Sequence, residues 1–282
     1  MRYAILSDIH ANLPALQAVL DDLSDQSVTA LIYLGDAVGY YADSAAVIAL
    51  LSDLVMSGYG KRDGREEHGL LWVPGNHEWG LLERTEEHFF SPAARIALQQ
   101  TRTDLTADEL ELLAHLPQRI ELDLEDNLSL TICHATPGDP VGLTGYIENS
   151  EDARDAAQHL TTPLCLVGHT HYPRICAEEA ASVAGQARWE VIDVFEAMLP
   201  GGQYPLGDQR LILNPGSVGQ PRDGDPRAAY AILDTGAKTF SVRRIPYDIA
   251  DTQARLRAWL PNAPAALLDG QGGLAGRLEL GI

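Results

Sequence analysis

Residues 3–12 read YAILSDIHAN, a short apolar run that becomes polar at Ser7. Four consecutive apolar side chains indicate a short buried strand, which we predict over Tyr3–Ser7. A helix is predicted to follow over Leu13–Leu23, with Pro14 in its first turn. A buried strand that passes directly into a helix is typical of a sheet with crossover connections.

The same alternation continues through the first half of the chain, and the second half is richer in strands. The first half is predicted to contain strands at Leu31–Leu34 and Leu70–Val73 and helices at Ala45–Val55 and Ala93–Leu116, the latter with a break near Thr103 and Thr106. Further strands are predicted at Ile120–Leu124, Leu128–Cys133, Leu164–Val167, Arg174–Ala177, Trp189–Phe195, Arg210–Leu213, Ala229–Leu233 and Thr239–Arg243. Helices are predicted at Ser150–Leu160 and Asp251–Leu260. So many strands would fill two packed sheets.

Composition narrows the class of protein. The chain has 282 residues, 45% of them hydrophobic, which suffices for a large core in one main domain. Its 40 acidic and 20 basic residues give a net charge of −20, which would repel a long nucleic acid. The N-terminal apolar run is too short for a signal peptide or a membrane span. The cysteines, Cys133, Cys165 and Cys176, show no paired spacing, so we expect a reducing, cytoplasmic location and no membrane partner.

Polar blocks follow apolar runs at five places. They are Asp8-Ile9-His10, Gly35-Asp36, Gly75-Asn76-His77-Glu78, His134 and Gly168-His169-Thr170-His171. Loops at the carboxyl ends of neighbouring strands line one crevice, so these blocks are expected to meet. Imidazole, carboxylate and amide ligands suit a pair of divalent ions, which activate water and neutralise a phosphate ester. Glu78 is expected to support its loop rather than to bind metal.

The five blocks, in this order, resemble those of the calcineurin-like metallophosphoesterases. The opening Asp-Ile-His-x-Asn-Leu is similar to that of the small bacterial phosphodiesterase branch, and residues 213–222, LNPGSVGQPR, resemble a further block of that branch. The resemblance implies a four-layer α/β/β/α sandwich, two mixed sheets flanked by helices. It covers residues 1–245, the predicted metallophosphoesterase domain. Residues 246–282 are predicted to be a C-terminal extension, a helix plus a Gly-rich tail, which would cap a neighbouring subunit or extend into solvent.

The resemblance also implies roles for single residues. Seven side chains would hold two metal ions: Asp8, His10 and His171 the first, Asn76, His134 and His169 the second, and Asp36 both. A hydroxide that bridges the ions would attack phosphorus, and His77 would act as the general acid at the leaving oxygen. The other histidines, His68, His88, His115 and His159, are expected to lie outside the site. The ligand types favour transition metals, with manganese or iron expected first and zinc, cobalt or nickel as alternatives.

Five further residues are candidates for supporting the site or contacting the substrate. Asn214 and Ser217 are expected to orient a metal-binding histidine. Arg222 is a candidate for contact with a phosphate oxygen, and Tyr40 and Tyr146 for stacking on an aromatic group of the substrate. Tyr146 lies in residues 135–149, a long irregular stretch that is predicted to select the substrate.

The predicted function is hydrolysis of phosphodiester or phosphomonoester bonds in small molecules. One alternative is a hydrolase of dinucleoside polyphosphates. A protein serine/threonine phosphatase is less favoured, because the family's protein phosphatases carry an arginine-bearing stretch where this chain has residues 37–40, AVGY. A scaffold resembling the retromer subunit of this fold is the non-enzymatic alternative, and the presence of His77 argues against it. No pattern specifies an oligomer.

Overall fold

The computed structural model describes residues 1–56, 70–124, 128–179, 187–194, 202–269 and 272–282. These residues form two six-stranded mixed sheets. The strands are β1 (Arg2–Leu6), β2 (Ala30–Tyr33), β3 (Leu71–Trp72), β4 (Arg119–Asp123), β5 (Ser129–Cys133), β6 (Leu164–Leu166), β7 (Pro173–Glu179), β8 (Arg188–Asp193), β9 (Tyr204–Pro205), β10 (Leu211–Pro215), β11 (Ala228–Asp234) and β12 (Thr239–Ile245).

The helices flank the sheets. They are α1 (Leu13–Leu23), α2 (Ser44–Met56), α3 (Asn76–Leu81), α4 (Pro92–Asp104), α5 (Ala107–Ala114), α6 (Ser150–Ala157), α7 (Ile249–Trp259), α8 (Ala265–Leu268) and α9 (Leu274–Leu280). A short 3₁₀ helix spans Glu87–Phe89.

The strand order places the polar blocks along one edge of the sandwich. The first sheet runs β3-β2-β1-β11-β12-β9 and the second runs β4-β5-β6-β10-β7-β8. Strands β1, β2 and β3 are parallel, and so are β5, β6 and β10. Parallel neighbours end at the same edge, so the loops after these strands converge.

The core lies between the sheets and on their outer faces. Side chains alternate along a strand. In β1, Tyr3 and Ile5 therefore face the second sheet, whereas Ala4 and Leu6 face the helices. Burial of one large apolar side chain contributes roughly 1.5 to 3 kcal/mol. Both faces of β1 are buried, which accounts for its nearly continuous apolar sequence.

Helices cover both outer faces. On the first sheet, α1 begins after Asn12, whose side chain accepts a hydrogen bond from the Ala15 amide (3.2 Å). On the second sheet, α6 places Ala153 and Ala156 against an apolar cluster that includes Cys165. The predicted fold, two mixed sheets with flanking helices, is confirmed.

Most elements predicted from the sequence occur in the structure. The predicted helix break near Thr106 lies between α4 and α5, where Thr106 forms a capping box with Glu109. The short elements β9 and α3 were not predicted. Residues 125–127, the predicted turn between β4 and β5, lie outside the described residues, as do residues 57–69.

The C-terminal extension packs on the chain's own core. It contains three helices, α7, α8 and α9, and Leu256, Leu274 and Leu278 are buried against the helices of the first sheet. This placement differs from an extension into solvent. Of the predicted Gly-rich stretch, residues 270 and 271 lie outside the described residues. In the described parts of the chain, no helix has the length and apolar character needed to cross a membrane.

Candidate metal centre

The seven predicted metal ligands lie together at the edge of the sandwich. Potential ligand atoms of Asp8, His10 and His171 lie within 4.8 Å of one another, and so do those of Asp36, His134 and His169. The Asn76 Oδ1 atom is 3.3 Å from His134 Nε2. These side chains are almost fully buried apart from Asn76, which is partly exposed. The structure therefore brings all seven together.

Five of the seven candidate ligands have a left-handed backbone. Their φ angles are 54° for Asp8, 49° for His10, 59° for Asp36, 67° for His169 and 62° for His171. Such a conformation in a non-glycine residue costs on the order of 1 to 3 kcal/mol and persists only where the surroundings hold it. Here the His10 amide donates to the Asp36 carbonyl (2.8 Å) and the Asp8 amide donates to the Gly35 carbonyl (3.0 Å). Strain of this kind clusters at functional sites.

Glu78 holds two of the ligand-bearing loops together. Its carboxylate accepts hydrogen bonds from the backbone amides of Gly75 (2.7 Å), Asp36 (2.9 Å), Ala37 (2.7 Å) and Val38 (3.2 Å). Burial, with a further contribution from the Asp36 carboxylate, raises the pKa of Glu78 to about 7. The expectation that Glu78 supports the loop is confirmed by these contacts.

Two glycines allow the loops to approach the carboxylates. A Cβ atom at Gly75 would lie 2.1 Å from Asp36 Oδ1. A Cβ atom at Gly168 would lie 1.9 Å from Ser7 Oγ and 2.7 Å from Asp8 Oδ2. Both distances are well inside van der Waals contact, so a larger residue would displace a candidate ligand.

Backbone carbonyls fix the protonation of three imidazoles. A carbonyl only accepts hydrogen bonds, so a ring nitrogen facing it must carry a proton. The Nδ1 atoms of His10, His134 and His171 donate to the carbonyls of Val38 (3.0 Å), Leu34 (2.7 Å) and Gln220, respectively. The Nε2 atom of each ring is thereby left to face the centre.

Several of these inward-facing nitrogens are close to one another. His10 Nε2 lies 3.1 Å from His171 Nε2, and burial lowers the pKa of both rings, so both nitrogens present lone pairs. His134 Nε2 lies 3.2 Å from His169 Nδ1. In the His10–His171 pair, the two lone pairs face each other at contact distance and repel unless a cation lies between or beside them. The geometry therefore fits bound metal ions.

In both Asp8 and Asp36, one carboxylate oxygen accepts a hydrogen bond from a backbone amide and the other lies near the imidazoles. Asp8 Oδ2 accepts from the His169 amide (3.1 Å), while Asp8 Oδ1 is buried, lies 3.3 Å from His171 Nε2 and has no assigned hydrogen bond within the described part of the chain. Asp36 Oδ1 accepts from the His77 amide (2.8 Å), while Asp36 Oδ2 lies 3.3 Å from His134 Nε2 and 3.7 Å from His10 Nε2. Asp36 Oδ2 therefore lies between the two clusters.

The electrostatics of the centre favour positive charge. Burial alone disfavours the protonated form of an imidazole, and it lowers the pKa of His169 to about 3. At His134, however, the carboxylates of Asp36 and Asp8 outweigh burial and raise the pKa to about 10. Without a cation, His134 would therefore hold a second proton between the carboxylates. A metal ion supplies positive charge at the same place.

His77 lies beside both clusters. Its ring is 3% exposed, and its centroid is 4.6 Å from those of His10 and Tyr40. Its Nδ1 atom is buried and, among the described residues, has no hydrogen-bond partner. Burial lowers the pKa of His77 to about 4, against the effect of the nearby Asp36 carboxylate. A neutral imidazole in this position can donate one N–H to a bound molecule.

Asn214 and Ser217 contact the backbone of the ligand loops rather than a histidine ring. Asn214 Nδ2 donates to the Gly168 carbonyl (2.7 Å) and to Thr170 Oγ1 (3.1 Å), on either side of His169. Ser217 Oγ donates to the Asp8 carbonyl (2.8 Å). From the sequence we expected these residues to orient a metal-binding histidine. Their hydrogen bonds instead reach the loops beside the candidate ligands.

The three candidates for substrate contact surround the centre. Arg222 Nη2 donates to Gln220 Oε1 (2.9 Å) and lies 3.5 Å from the Tyr40 hydroxyl oxygen. The Tyr146 ring is 47% exposed and lies 4.1 Å, centroid to centroid, from the ring of His169.

The loop of residues 135–149 that carries Tyr146 is shaped by Asp139. The Asp139 carboxylate accepts from the backbone amides of Gly142 (3.2 Å), Thr144 (2.7 Å) and Gly145 (3.0 Å). Burial of Asp139 is outweighed by these hydrogen bonds, which lower its pKa. This role could not be predicted, because an aspartate in a turn-rich stretch is ordinary.

The carbonyls of Val38, Leu34 and Gln220 were also not predicted, since every residue has a carbonyl and only the fold selects those that face a ring.

The histidines excluded from the site lie outside it as far as they are described. His88, His115 and His159 are exposed, and His68 lies outside the described residues.

Comparisons with known proteins agree with this geometry. A model of the calcineurin-like phosphoesterase superfamily domain matches residues 1–238. An uncharacterized protein of Methanocaldococcus jannaschii is 30% identical over 266 residues, which cover 91% of this chain and 94% of that protein.

Two solved structures are similar over nearly their whole length. A metallophosphoesterase from Sphaerobacter thermophilus has a TM-score of 0.75 and 34% identity, covering 100% of this chain and 99% of the other. A hypothetical protein from Pyrococcus horikoshii has a TM-score of 0.70 and 17% identity, covering 95% and 98%, a likeness of fold alone. The similarity to the Sphaerobacter thermophilus protein covers the whole chain, including the C-terminal extension.

Proposed function

This chain belongs to the calcineurin-like phosphoesterase superfamily, and we propose that it is a dinuclear metal-dependent hydrolase of phosphodiester or phosphomonoester bonds in small molecules. One observation carries the proposal. Buried imidazole nitrogens that bear lone pairs face one another at 3.1 Å beside two buried carboxylates, an arrangement that fits bound cations. Such a centre supplies what hydrolysis of a phosphate ester requires.

The two clusters suggest how the ligands would be shared. Asp8, His10 and His171 would hold one ion. Asn76, His134 and His169 would hold the other. Asp36 would contact both, since its Oδ2 atom faces an imidazole of each cluster.

The ligand chemistry favours a transition metal. Imidazole nitrogen and carboxylate oxygen together suit manganese, iron, cobalt, nickel or zinc better than magnesium or calcium. We propose manganese or iron. When bound, the ions would lower the pKa of water and neutralise the charge of the phosphoryl oxygens.

His77 is the proposed general acid. It lies against both clusters, and its buried Nδ1 atom packs against Gly39, so the other ring nitrogen, Nε2, would be the donor. Donation of a proton or a hydrogen bond to the departing oxygen typically contributes about 10²- to 10⁴-fold in rate. The side chain is packed between His10, Tyr40 and Phe90, so its orientation is fixed before substrate arrives.

Arg222 is the proposed contact for a phosphate oxygen. Its described hydrogen-bond acceptors, Gln220 and Tyr40, are neutral, although the chain has 40 acidic residues to pair with. It is close enough to His77 and His171 to lower the pKa of both. A guanidinium beside two metal ions is stabilised when an anion joins them, and a phosphate ester is such an anion.

Tyr146 supports a second candidate, hydrolysis of nucleotides such as dinucleoside polyphosphates. Tyr146 is about half exposed, and its ring packs against that of His169. An aromatic ring in that position could stack on a nucleobase or an aryl group. Tyr40 is 7% exposed, so its ring has little surface for stacking. A cytoplasmic location remains a prediction from the cysteines.

An activity panel tests the proposal. Metal-stripped protein, reconstituted with Mn²⁺, would be assayed on nitrophenyl phosphate, bis-nitrophenyl phosphate, cyclic nucleotides and dinucleoside polyphosphates. We expect hydrolysis that requires the added metal and is lost in Asp36→Asn. If no substrate is cleaved although two ions bind, the catalytic part of the proposal is wrong and the scaffold alternative gains. A preference for dinucleoside polyphosphates that Tyr146→Ala abolishes would favour the second candidate.

A further inference from the structure

Buried hydrogen bonds connect the C-terminal extension to a candidate metal ligand. The Leu274 carbonyl accepts from the Tyr41 hydroxyl (3.3 Å), and the Tyr41 oxygen accepts from Gln220 Nε2 (3.0 Å). The Gln220 carbonyl accepts the Nδ1 proton of His171. Tyr41, Gln220 and His171 are at most 2% exposed. The path therefore runs from α9 to the centre without exposed residues.

We propose that residues 246–282 are part of the metal-binding machinery, because they hold Gln220 in the position from which its carbonyl orients His171. Tyr41 and Gln220 are positioning residues in this account, and the affinity for the first metal ion depends on them. The inference rests on the proposed function, since it takes His171 to be a ligand.

Gln220 can link the position of Tyr41 to that of His171, because each of its polar atoms has a hydrogen-bond partner. Its amide N–H donates to Ser217 Oγ (2.7 Å), and its side-chain oxygen accepts from Arg222 (2.9 Å). The side-chain nitrogen donates to Tyr41, as described above. Partners at each polar atom restrain the orientation of a buried residue, and loss of one partner leaves a costly unpaired group.

The other end of the path is anchored within the extension. Gln253 of α7 donates to the Ala275 carbonyl (3.0 Å) and to Glu279 (2.8 Å), which ties α9 to α7. The amide of Gly224, in the loop that follows Gln220, donates to the Gly281 carbonyl (2.9 Å). The extension thus contacts this loop directly at Gly224 and through Tyr41 at Gln220.

A second contact reaches the loop that carries Asp8 and His10. Asn12 Nδ2 donates to the Gly219 carbonyl (2.8 Å) and lies 3.3 Å from the Tyr247 hydroxyl. Thr252 Oγ1 of α7 donates to Asn12 Oδ1 (2.9 Å). The extension therefore contacts the loop that carries Asp8 and His10 as well as the loop that carries Gln220.

The strained backbone explains why such bracing matters. His171 has a φ of 62°, and its Nε2 atom lies 3.1 Å from another imidazole nitrogen. Without its carbonyl partner the ring could turn away from that nitrogen. Changes to hydrogen-bond partners of metal ligands typically cost 10- to 100-fold in metal affinity.

The test compares two buried tyrosines. Tyr41→Phe removes the hydroxyl from the path, whereas the control Tyr230→Phe removes a buried hydroxyl that bonds Asp22, remote from the centre. Mn²⁺ titration of metal-free protein should show two ions bound by the wild type. In Tyr41→Phe one of them should bind about tenfold more weakly and the other unchanged. Tyr230→Phe should leave both affinities unchanged.

A second variant and a spectroscopic measurement guard against simple unfolding. Gln253→Ala, within the extension, should weaken the same ion in the same direction. The Nδ1 proton of His171, followed by NMR, should exchange faster in both variants. Unchanged affinities in Tyr41→Phe and Gln253→Ala, or equal loss of both ions in Tyr41→Phe and the control, would overturn the inference. Wild-type protein that does not bind two ions would overturn the proposed function instead.

Discussion

The Nε2 atoms of His10 and His171 face each other at 3.1 Å, and the Nδ1–H group of each ring donates a hydrogen bond to a backbone carbonyl. Neither nitrogen has a proton to offer, because burial lowers the pKa of both rings. Two buried carboxylates adjoin them. A centre built this way is unfavourable when empty of cations and favourable when they are present.

His77→Ala should keep both metal ions and lose about 10²- to 10⁴-fold in kcat, because the leaving oxygen loses its proton donor. The loss should be smallest for nitrophenyl esters, whose leaving group needs little protonation. Steady-state kinetics on alkyl and nitrophenyl esters measure the difference, with His115→Ala, an exposed histidine, as the control. An equal loss on all substrates would remove His77 from this role.

At a pH above the Glu78 pKa of about 7, Glu78→Gln should destabilise the metal-free protein by about 1.5 to 3 kcal/mol, the range for hydrogen bonds to a charged group. The carboxylate accepts from four backbone amides, and a side-chain amide nitrogen cannot accept. Urea unfolding in the presence of a chelator measures the change. The exposed Glu87→Gln is the matched control, and equal stability of the two variants would refute the bracing role.

Asn214→Ala should weaken metal binding by about 10- to 100-fold at the ion that His169 holds. The substitution removes the hydrogen bonds to the Gly168 carbonyl and to Thr170 that fix the loop around His169. Calorimetric titration with Mn²⁺ measures the affinity, and Asn262→Ala, at an exposed position, is the control. If occupancy and rate stay unchanged, Asn214 is only a turn residue.

The Asp22 carboxylate should make stability depend on pH. Hydrogen bonds from Arg243, and secondarily from Tyr230, lower its pKa in the folded protein. A lowered folded pKa means that its stabilisation is present above the unfolded value of about 3.9 and is lost as the pH falls through the folded value. Wild type should therefore exceed Asp22→Asn in free energy of unfolding at pH 6, and the difference should shrink below about pH 4. A constant difference across this range would contradict the assignment.

Much of the site could be predicted because its residues follow short buried strands. Strand β1 has four apolar residues and then Asp8, so sequence alone placed that carboxylate at a sheet edge. Helix α1 has the predicted bounds, Leu13–Leu23, since its apolar spacing and its Pro14 are local signals. The ligand set came from the order of the motifs, which the family resemblance supplied.

What could not be predicted depends on contacts between distant parts of the chain. Strand β9 has two residues and exists because it pairs with β12. The partner of His171 is a backbone carbonyl 49 positions away, and no residue type encodes it. The hydrogen bond between Tyr41 and Leu274 of α9 likewise joins residues 233 positions apart.

The most direct measurement is the anomalous diffraction of crystals soaked in Mn²⁺. We expect two peaks about 3.5 to 4 Å apart. One should be bounded by Asp8, His10 and His171, the other by Asn76, His134 and His169, and Asp36 should lie between them. Density for a single ion away from Asp36, or no peak at saturating Mn²⁺, would contradict the dinuclear centre.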